Sequence, residues 1–406
     1  DANVSFTHAD KPELGPFIRE KIDIDLDGRP SKVLDFDDLD IAEPIIGDEF
    51  AAALSGALRD DQITSDAMER VVHTYGKSLR DLVRIRRGDL GRLPDLIVYP
   101  ENEDEVGAIM AAALANDVVV IPFGGGTNIS ESLEPPRGER RTVVSVDMQK
   151  MDQVLEIDEA ARTARVQAGV FGPHLEEQLN RTGWTLGHFP DSFTYSTLGG
   201  WIATRAGGHF ATGETHIDDL VESVRALTPT GEWQSRRLPG SGAGPSPDRM
   251  MIGSEGALGV ITEAWMRVRP RPKYKATATI GFDDFSAAAT GAVRAIAQAR
   301  LGASNCRLID PLEAKTTMAG DGSKALLLLG FESADCPVGT LLDQGVRIAE
   351  QHGGKVLSSR VSEPDFEAGD KKGTGGGSQW KDSFLLAPYL RDTFVACGVL
   401  SETFET

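Results

Sequence analysis

Cysteine is scarce in this 406-residue chain: Cys306, Cys336 and Cys397 are odd in number and far apart. Such a set suits neither a disulfide framework nor a zinc cluster and points to a reducing, cytosolic compartment. Basic charge is in deficit too, with 42 lysines and arginines against 62 acidic residues and a net charge of −20. A molecule of that sign repels a phosphate backbone, which argues against nucleic acid as a partner. Long apolar runs are missing: no stretch approaches the roughly 18–20 residues of a membrane-spanning helix, and the opening residues lack a charged-then-apolar signal pattern. The chain reads as cytoplasmic, soluble or at most peripheral to a membrane. What is present is an ordinary globular composition, 40% hydrophobic and 26% charged. At roughly 150 residues per domain the length suggests two to three domains.

Three stretches differ in character. Residues 1–92 read as an acidic, turn-rich arm followed by a basic connector, RDLVRIRRGDLGR at 80–92. Those arginines suit either a solvated helix face or a patch that meets phosphate or an anionic membrane surface. Residues 93–271 carry an α/β rhythm: a strand at 96–100, a helix at 103–117, then VVVIP at 118–122, whose fully apolar, β-branched run suits a buried parallel strand. Near-alternation on both sides of a polar turn at 158–163 predicts one hairpin, and residues 219–233, with Thr230 and Gly231 at the tip, a second. Residues 272–406 begin a different module, whose order over 272–360 of strand, helix, strand, strand, helix, strand is that of a ferredoxin-like unit. Residues 363–378, EPDFEAGDKKGTGGGS, read as a mobile linker.

Chemistry concentrates in three glycine-rich loops. In the first, Pro122, Phe123, Gly124, Gly125, Gly126, Thr127 and Asn128 follow the apolar strand. Consecutive glycines leave backbone N–H groups unshielded, and such a run can form a nest around pyrophosphate oxygens. The spacing is neither G-x-G-x-x-G nor a Walker loop, which rejects a Rossmann or P-loop assignment. The second, residues 188–208, is dense in hydroxyls, Ser192, Thr194, Tyr195, Ser196, Thr197 and Thr204, with two glycine pairs. Small donors beside close-approach glycines suit a large polar cofactor with a pyrophosphate and a fused ring. The third, GSEGALGVITEA at 253–264, sets Glu255 among Gly253, Gly256 and Gly259 just before a strand.

PFGGGTN, HFPDSFTYSTLGGW, TRAGG and GSEGALGVITEA together resemble flavoproteins of the vanillyl-alcohol oxidase type. Within that superfamily STLGGWIATRAGG, RLID at 307–310 and APYLRD…SETFET at 387–406 look most like the alkyldihydroxyacetonephosphate synthase family, from about residue 69 onward. The resemblance implies an α+β fold with a two-subdomain FAD-binding domain and a ferredoxin-like cap. It implies that residues 122–128 hold the FAD pyrophosphate. Asp191, Ser192, Phe193, Thr194, Tyr195, Ser196 and Thr197, with Thr204, Arg205, Ala206 and Gly207, would line the cofactor, and Glu255, Gly256, Ala257, Leu258, Gly259, Val260 and Ile261 would complete the site. Arg307 and Arg391 match arginines that the family places at the active site. A planar guanidinium binds two phosphate oxygens at once, although local ion pairs with Asp310 and Asp392 are the structural alternative.

The first loop carries no histidine, so noncovalent FAD is expected. The family continues past ETFET into a segment with a catalytic tyrosine and a histidine cluster; the expectation is that this sequence is a fragment or lacks that chemistry. His188, beside the second loop, is the one histidine offered as catalytic; His8, His73, His174, His209, His216 and His352 are expected at the surface or in packing. No metal is expected. Three functions remain open: exchange of the acyl chain of acyl-dihydroxyacetone phosphate for a fatty alcohol, FAD-linked oxidation of a 2-hydroxy acid, or a degenerate FAD-binding protein. A small lipid or hydroxy-acid substrate, peripheral membrane contact and a homodimer, the commonest oligomer, are the partners foreseen.

Overall fold

A computed structural model describes residues 7–28, 34–208, 212, 216–238, 246, 249–362, 390–391 and 393–400. The linker at 363–378, His209, Asp392 and the terminal SETFET lie outside the described residues. The chain divides into two compact units, one of residues 32–207 with 216–269 and one of residues 1–31, 208–215 and 270–406.

The first unit is built on two larger sheets. In the first, strands run in the order Ile63–Thr64, Leu96–Val98, Val143–Asp147, Val119–Phe123, and the last three are parallel. Leu96–Val98 and Val143–Asp147 are buried along their whole length, as apolar runs in a covered parallel sheet should be. The helix Glu103–Ala115 makes the crossover; Asn102 caps it by accepting from Glu105 N–H, and Glu103, Asp104 and Glu105 set negative charge against its N-terminus. Strand Val119–Phe123 is parallel as expected but not buried: the crossover passes over Val143–Asp147 and leaves it half-buried on the sheet's edge.

Residues 34–92, read from sequence as arm and connector, pack into this same unit. Phe50 and Leu54 from helix Asp48–Ala57 join Val98, Ile109, Val144 and Val146 in one core, and Ile63–Thr64 supplies an edge strand. The arginines are divided between solvent and ion pairs: Arg80 and Arg87 are exposed, whereas Arg84 and Arg92 are tied down. Arg84 is buried against Glu134 at 2.6 Å, Arg92 Nη1 meets Asp95 Oδ1 at 2.9 Å, and Arg80 pairs with Glu131. Clustered cations here neutralise acidic groups of the same unit.

The second sheet is antiparallel, in the order Val154–Asp158, Thr163–Gln167, Val260–Arg267, Val221–Thr228, Gly231–Gln234. Both expected hairpins are present. Helices Gly172–Arg181 and Leu198–Thr204 give Leu175, Leu179, Trp201 and Ile202 to its core.

The second unit is built on an antiparallel sheet ordered Asn305–Ile309, Ala325–Ser333, Tyr274–Phe282, Lys355–Ser362. Helices Thr290–Gln298 and Gly339–Gln351 cover one face, where Ile280, Phe282, Leu327, Leu329, Ala292, Ile296 and Leu342 form the core. With the chain order unchanged, this is the ferredoxin-like arrangement. Helix Leu14–Ile22, from the segment read as an arm, packs Leu14 and Ile18 against Leu390, Phe394 and Val399 within this unit.

Candidate functional site

The three loops meet in the first unit, and their glycines explain how. A Cβ on Gly124 would lie 2.3 Å from Thr197 Oγ1, and one on Gly125 only 1.7 Å from the Tyr195 carbonyl oxygen. The Thr197 side chain fills the space at Gly124, and the second loop's backbone fills it at Gly125. A Cβ on Gly256 would come within 3.2 Å of Pro122, and one on Gly253 within 2.7 Å of Arg205. Hydrogen bonds fix the same convergence: Gly253 N–H donates to Ile202 O at 3.0 Å, Glu255 N–H to Ala203 O at 2.9 Å, and Ser130 Oγ to Glu255 Oε2 at 2.6 Å. Glu255 and Arg205 both hold left-handed backbone, φ 49 and 55, a conformation that costs an L-residue about 1 kcal/mol or more.

Among the described residues, no protein acceptor lies against the backbone N–H groups of Gly124, Gly125, Gly126, Thr127 or Asn128. Five consecutive donors without an acceptor among the described residues, with Gly126 turned to φ 61, suit an anion with several oxygens. That observation is the test of fit for a pyrophosphate, and the loop passes it. Beside it, Met110, Ala113, Leu114, Val118, Val120, Pro122, Gly256 and Leu258 line an apolar cleft of about 180 Å³. Pockets for drug-sized ligands run to roughly 300–1,000 Å³, so this cleft cannot hold a whole dinucleotide.

The hydroxyl-rich segment is partly committed to its own structure. Trp201 Nε1 donates to Ser196 Oγ at 2.6 Å, Ser196 Oγ to Ser192 O at 2.8 Å, and Thr204 Oγ1 to Gly200 O at 2.9 Å. Thr197 caps helix Leu198–Thr204. Leu198 N–H to Val170 O and Gly199 N–H to Ala168 O tie that helix to the second sheet. Asp191 and Thr194 are exposed, whereas Ser196 and Thr197 are buried. Phe193 turns inward onto Trp201, and Val260 and Ile261 are buried. His188, the histidine offered as catalytic, is 2% exposed with its ring edge-on to Trp201 at 5.2 Å; it borders the core behind the loop.

The two arginines fall in the second unit: Arg307 half-buried on strand Asn305–Ile309 and Arg391 half-buried on the helical turn that carries Phe394. Asp310, the local partner considered for Arg307, caps the next helix by accepting from Leu312 and Glu313 N–H.

Sequence reasoning missed a fourth segment. Lys77 N–H donates to Asn128 O at 2.7 Å, a Cβ on Gly76 would sit 2.3 Å from that same oxygen, and the His73 ring packs on Phe123 with centroids 4.2 Å apart. Residues 73–77 therefore back the glycine loop; the one hint in sequence was a glycine, Gly76, with no turn to explain it. Also missed was the tie between the crossover helix Glu103–Ala115 and the second sheet. Arg225 Nε and Nη2 donate to Glu103 Oε1 at 2.8 and 2.6 Å, and Thr262 Oγ1 donates to Oε2 at 2.8 Å. Burial alone would raise the Glu103 carboxyl, but the bonds from Arg225 and Thr262 outweigh it and hold the group below its ordinary range.

Residues 94–236 match the FAD binding domain family, and residues 271–363 match the C-terminal domain of FAD linked oxidases. The alkyldihydroxyacetonephosphate synthase of Dictyostelium discoideum is 39% identical over 97% of this chain and 67% of its own length. That of Trypanosoma brucei brucei is 33% identical over 89% and 61%. A solved alkyldihydroxyacetonephosphate synthase structure superposes with a TM-score of 0.82 at 33% identity, covering 95% of this chain and 71% of that one. The chain thus spans about two thirds of the length of these relatives. With FAD as its cofactor, in the noncovalent mode consistent with the family and with a first loop that lacks histidine, the chain belongs to the alkyldihydroxyacetonephosphate synthase family.

Proposed function

We propose that this protein exchanges the acyl chain of acyl-dihydroxyacetone phosphate for a fatty alcohol, forming the ether bond of an ether lipid. Likeness to synthases along nearly the whole chain carries the reading; the N–H groups of residues 124–128, without an acceptor among the described residues, support its cofactor part. Bound flavin supplies a nucleophilic N5, with no net oxidation. The protein's own groups do the rest. The 122–128 loop receives the pyrophosphate, residues 191–197 and 204–207 line the cofactor, and residues 255–261 close the site from the third loop.

Arg307 and Arg391 bind the substrate phosphate, since each offers a rigid fork of donors that a lysine cannot reproduce. Hydrogen bonds to charged groups contribute about 1.5–3 kcal/mol each, roughly tenfold to more than a hundredfold in affinity. Arg307→Ala should therefore keep FAD content near normal while raising KM for the phosphate substrate by about tenfold or more, and Arg391→Lys should not restore what Arg391→Ala loses. Loss of FAD from Arg307→Ala would move that residue to the cofactor. The reading includes contact with the membrane surface that carries these lipids and a homodimeric assembly; among the described residues, no helix is long and apolar enough to cross a membrane.

Oxidation of a 2-hydroxy acid is the second reading, favoured by the match of residues 271–363 to FAD linked oxidases. Palmitoyl-dihydroxyacetone phosphate with hexadecanol, run beside D-lactate or glycolate with an acceptor dye, decides between them. Ether product with the flavin oxidised at the end of the cycle supports the synthase. Bleaching of the flavin by a hydroxy acid, without ether, supports the oxidase.

A further inference from the structure

His73 and Asp147 lie 74 positions apart in sequence, are each 2% exposed, and meet at 2.9 Å between Nε2 and Oδ2. The other ring nitrogen, Nδ1, is 2.8 Å from the Glu69 backbone oxygen, which can only accept. Nδ1 therefore carries a hydrogen, and a second hydrogen must lie between Nε2 and the carboxylate. The pair holds one proton more than a neutral imidazole beside an ionised carboxylate. Asp147 also accepts from Gln149, backbone N–H at Oδ1 and Nε2 at Oδ2, both at 2.9 Å. Burial pushes its carboxyl up, which fits a retained proton.

The pair sits behind the cofactor loop. Phe123 is the strand partner of Asp147, and its ring packs tilted against His73; that ring is what a Cβ on Gly126 would strike, at 2.8 Å. From His73 the chain runs on through Gly76 to Lys77, whose N–H holds Asn128 O. We propose that the proton shared by His73 and Asp147 positions the 122–128 loop for FAD, so that losing it loosens the loop from both ends. The inference rests on the role given above to that loop.

The other titratable groups facing His73 are Glu69, Oε2 at 3.6 Å from Nδ1, and Tyr99, whose hydroxyl donates to Glu69 at 2.8 Å and whose ring is 6.0 Å away. Burial, then the bond to Glu69, push the Tyr99 phenol well up, so it keeps its proton in the range of interest. Rising pH therefore acts on the pair: FAD binding is tight while the proton is held and weakens as it leaves.

The test is the FAD dissociation constant of apoprotein measured from about pH 6 to about pH 9. Wild type should weaken at least about tenfold across it, one pH unit of linked proton release being worth a factor of ten. Asp147→Asn can donate an amide hydrogen to Nε2 without any extra proton, so its affinity should stay near the wild-type low-pH value with a flat profile. His73→Phe keeps a ring on Phe123 but loses both hydrogen bonds and should bind weakly at every pH. A flat wild-type profile, or Asp147→Asn following the wild-type curve, overturns the inference. Gly125→Ala separates the two levels: if it binds FAD normally, the role of the loop fails; if it loses FAD while the wild-type profile is flat, only the shared proton fails.

Discussion

Gly125, in the flavin unit, and Gly353, in the ferredoxin-like unit, are required for opposite reasons. Gly353 ends helix Gly339–Gln351 at φ 85, and a Cβ there would meet nothing within 4 Å. Gly125 has no such backbone, yet a Cβ on it would run into the Tyr195 carbonyl. One glycine serves conformation and is local; the other serves space and answers to a segment seventy positions away. The flavin site exists only where loops distant in sequence touch.

The sharpest way to break that comparison is Gly125→Ala. A methyl group at 1.7 Å from a backbone oxygen cannot be absorbed by a side-chain rotation. Overpacking of this kind costs about 1–3 kcal/mol and sometimes more, and here the displaced parts are the loops themselves. Flavin should be lost from the purified protein, with hydrogen exchange accelerated at 195–199 and the strands of the ferredoxin-like unit unchanged. Retained flavin absorbance would mean that the loops do not need their observed contact.

A smaller effect is expected from Arg225→Leu, which removes an ion pair between the second sheet of the flavin unit and the helix Glu103–Ala115. Glu103 would keep Thr262 but lose its charged partner, at a cost of about 1–3 kcal/mol, toward the lower end because both side chains are about a quarter exposed. The sign with pH follows from the lowered carboxyl of Glu103. Its contribution is fully present above the ordinary carboxylate range and disappears as acid carries the solution through the folded-state value. Wild type and variant should thus differ in urea stability at neutral pH and converge in acid. A constant gap would remove the ion pair from the explanation.

The same contrast governs what could be read from sequence. The ferredoxin-like order and both hairpins were legible because their signals are local: strand runs, helix runs and turn residues at short spacing. The glycine loops were legible as loops, and the resemblance brought them to one cofactor, but their direct contact was not legible, since nothing in PFGGGTN states that Tyr195 O will occupy the space above Gly125. Burial of strand Val119–Phe123 was misjudged because its neighbours depend on where the crossover lands, and an apolar edge strand has the composition of a central one. The arm was misassigned because acidic, turn-rich composition does not reveal that Phe50 and Leu54 fill a core with Val144. The arginines read as a solvated face or a patch, and their ion pairs were not legible because the acidic partners Glu131 and Glu134 lie about fifty residues on. His73 and Asp147 left no signal at all.

The smallest effect should come from Gly353→Ala, and it tests the local half of the comparison. After the helix, Gly353 N–H bonds Glu350 O and Gly354 N–H bonds Ala349 O, both at 2.9 Å, so the left-handed residue closes the helix end. Alanine fits the space but not the φ, at a cost of about 1 kcal/mol; asparagine, which tolerates that region better, should cost less. The strain belongs to the helix end alone, so hydrogen exchange should quicken in residues 339–351 and in the facing strand Ala325–Ser333, with flavin content and exchange at the 122–128 loop unchanged. If asparagine destabilised more than alanine, side-chain crowding rather than backbone conformation would be the cause, and Gly353 would belong with Gly125 after all.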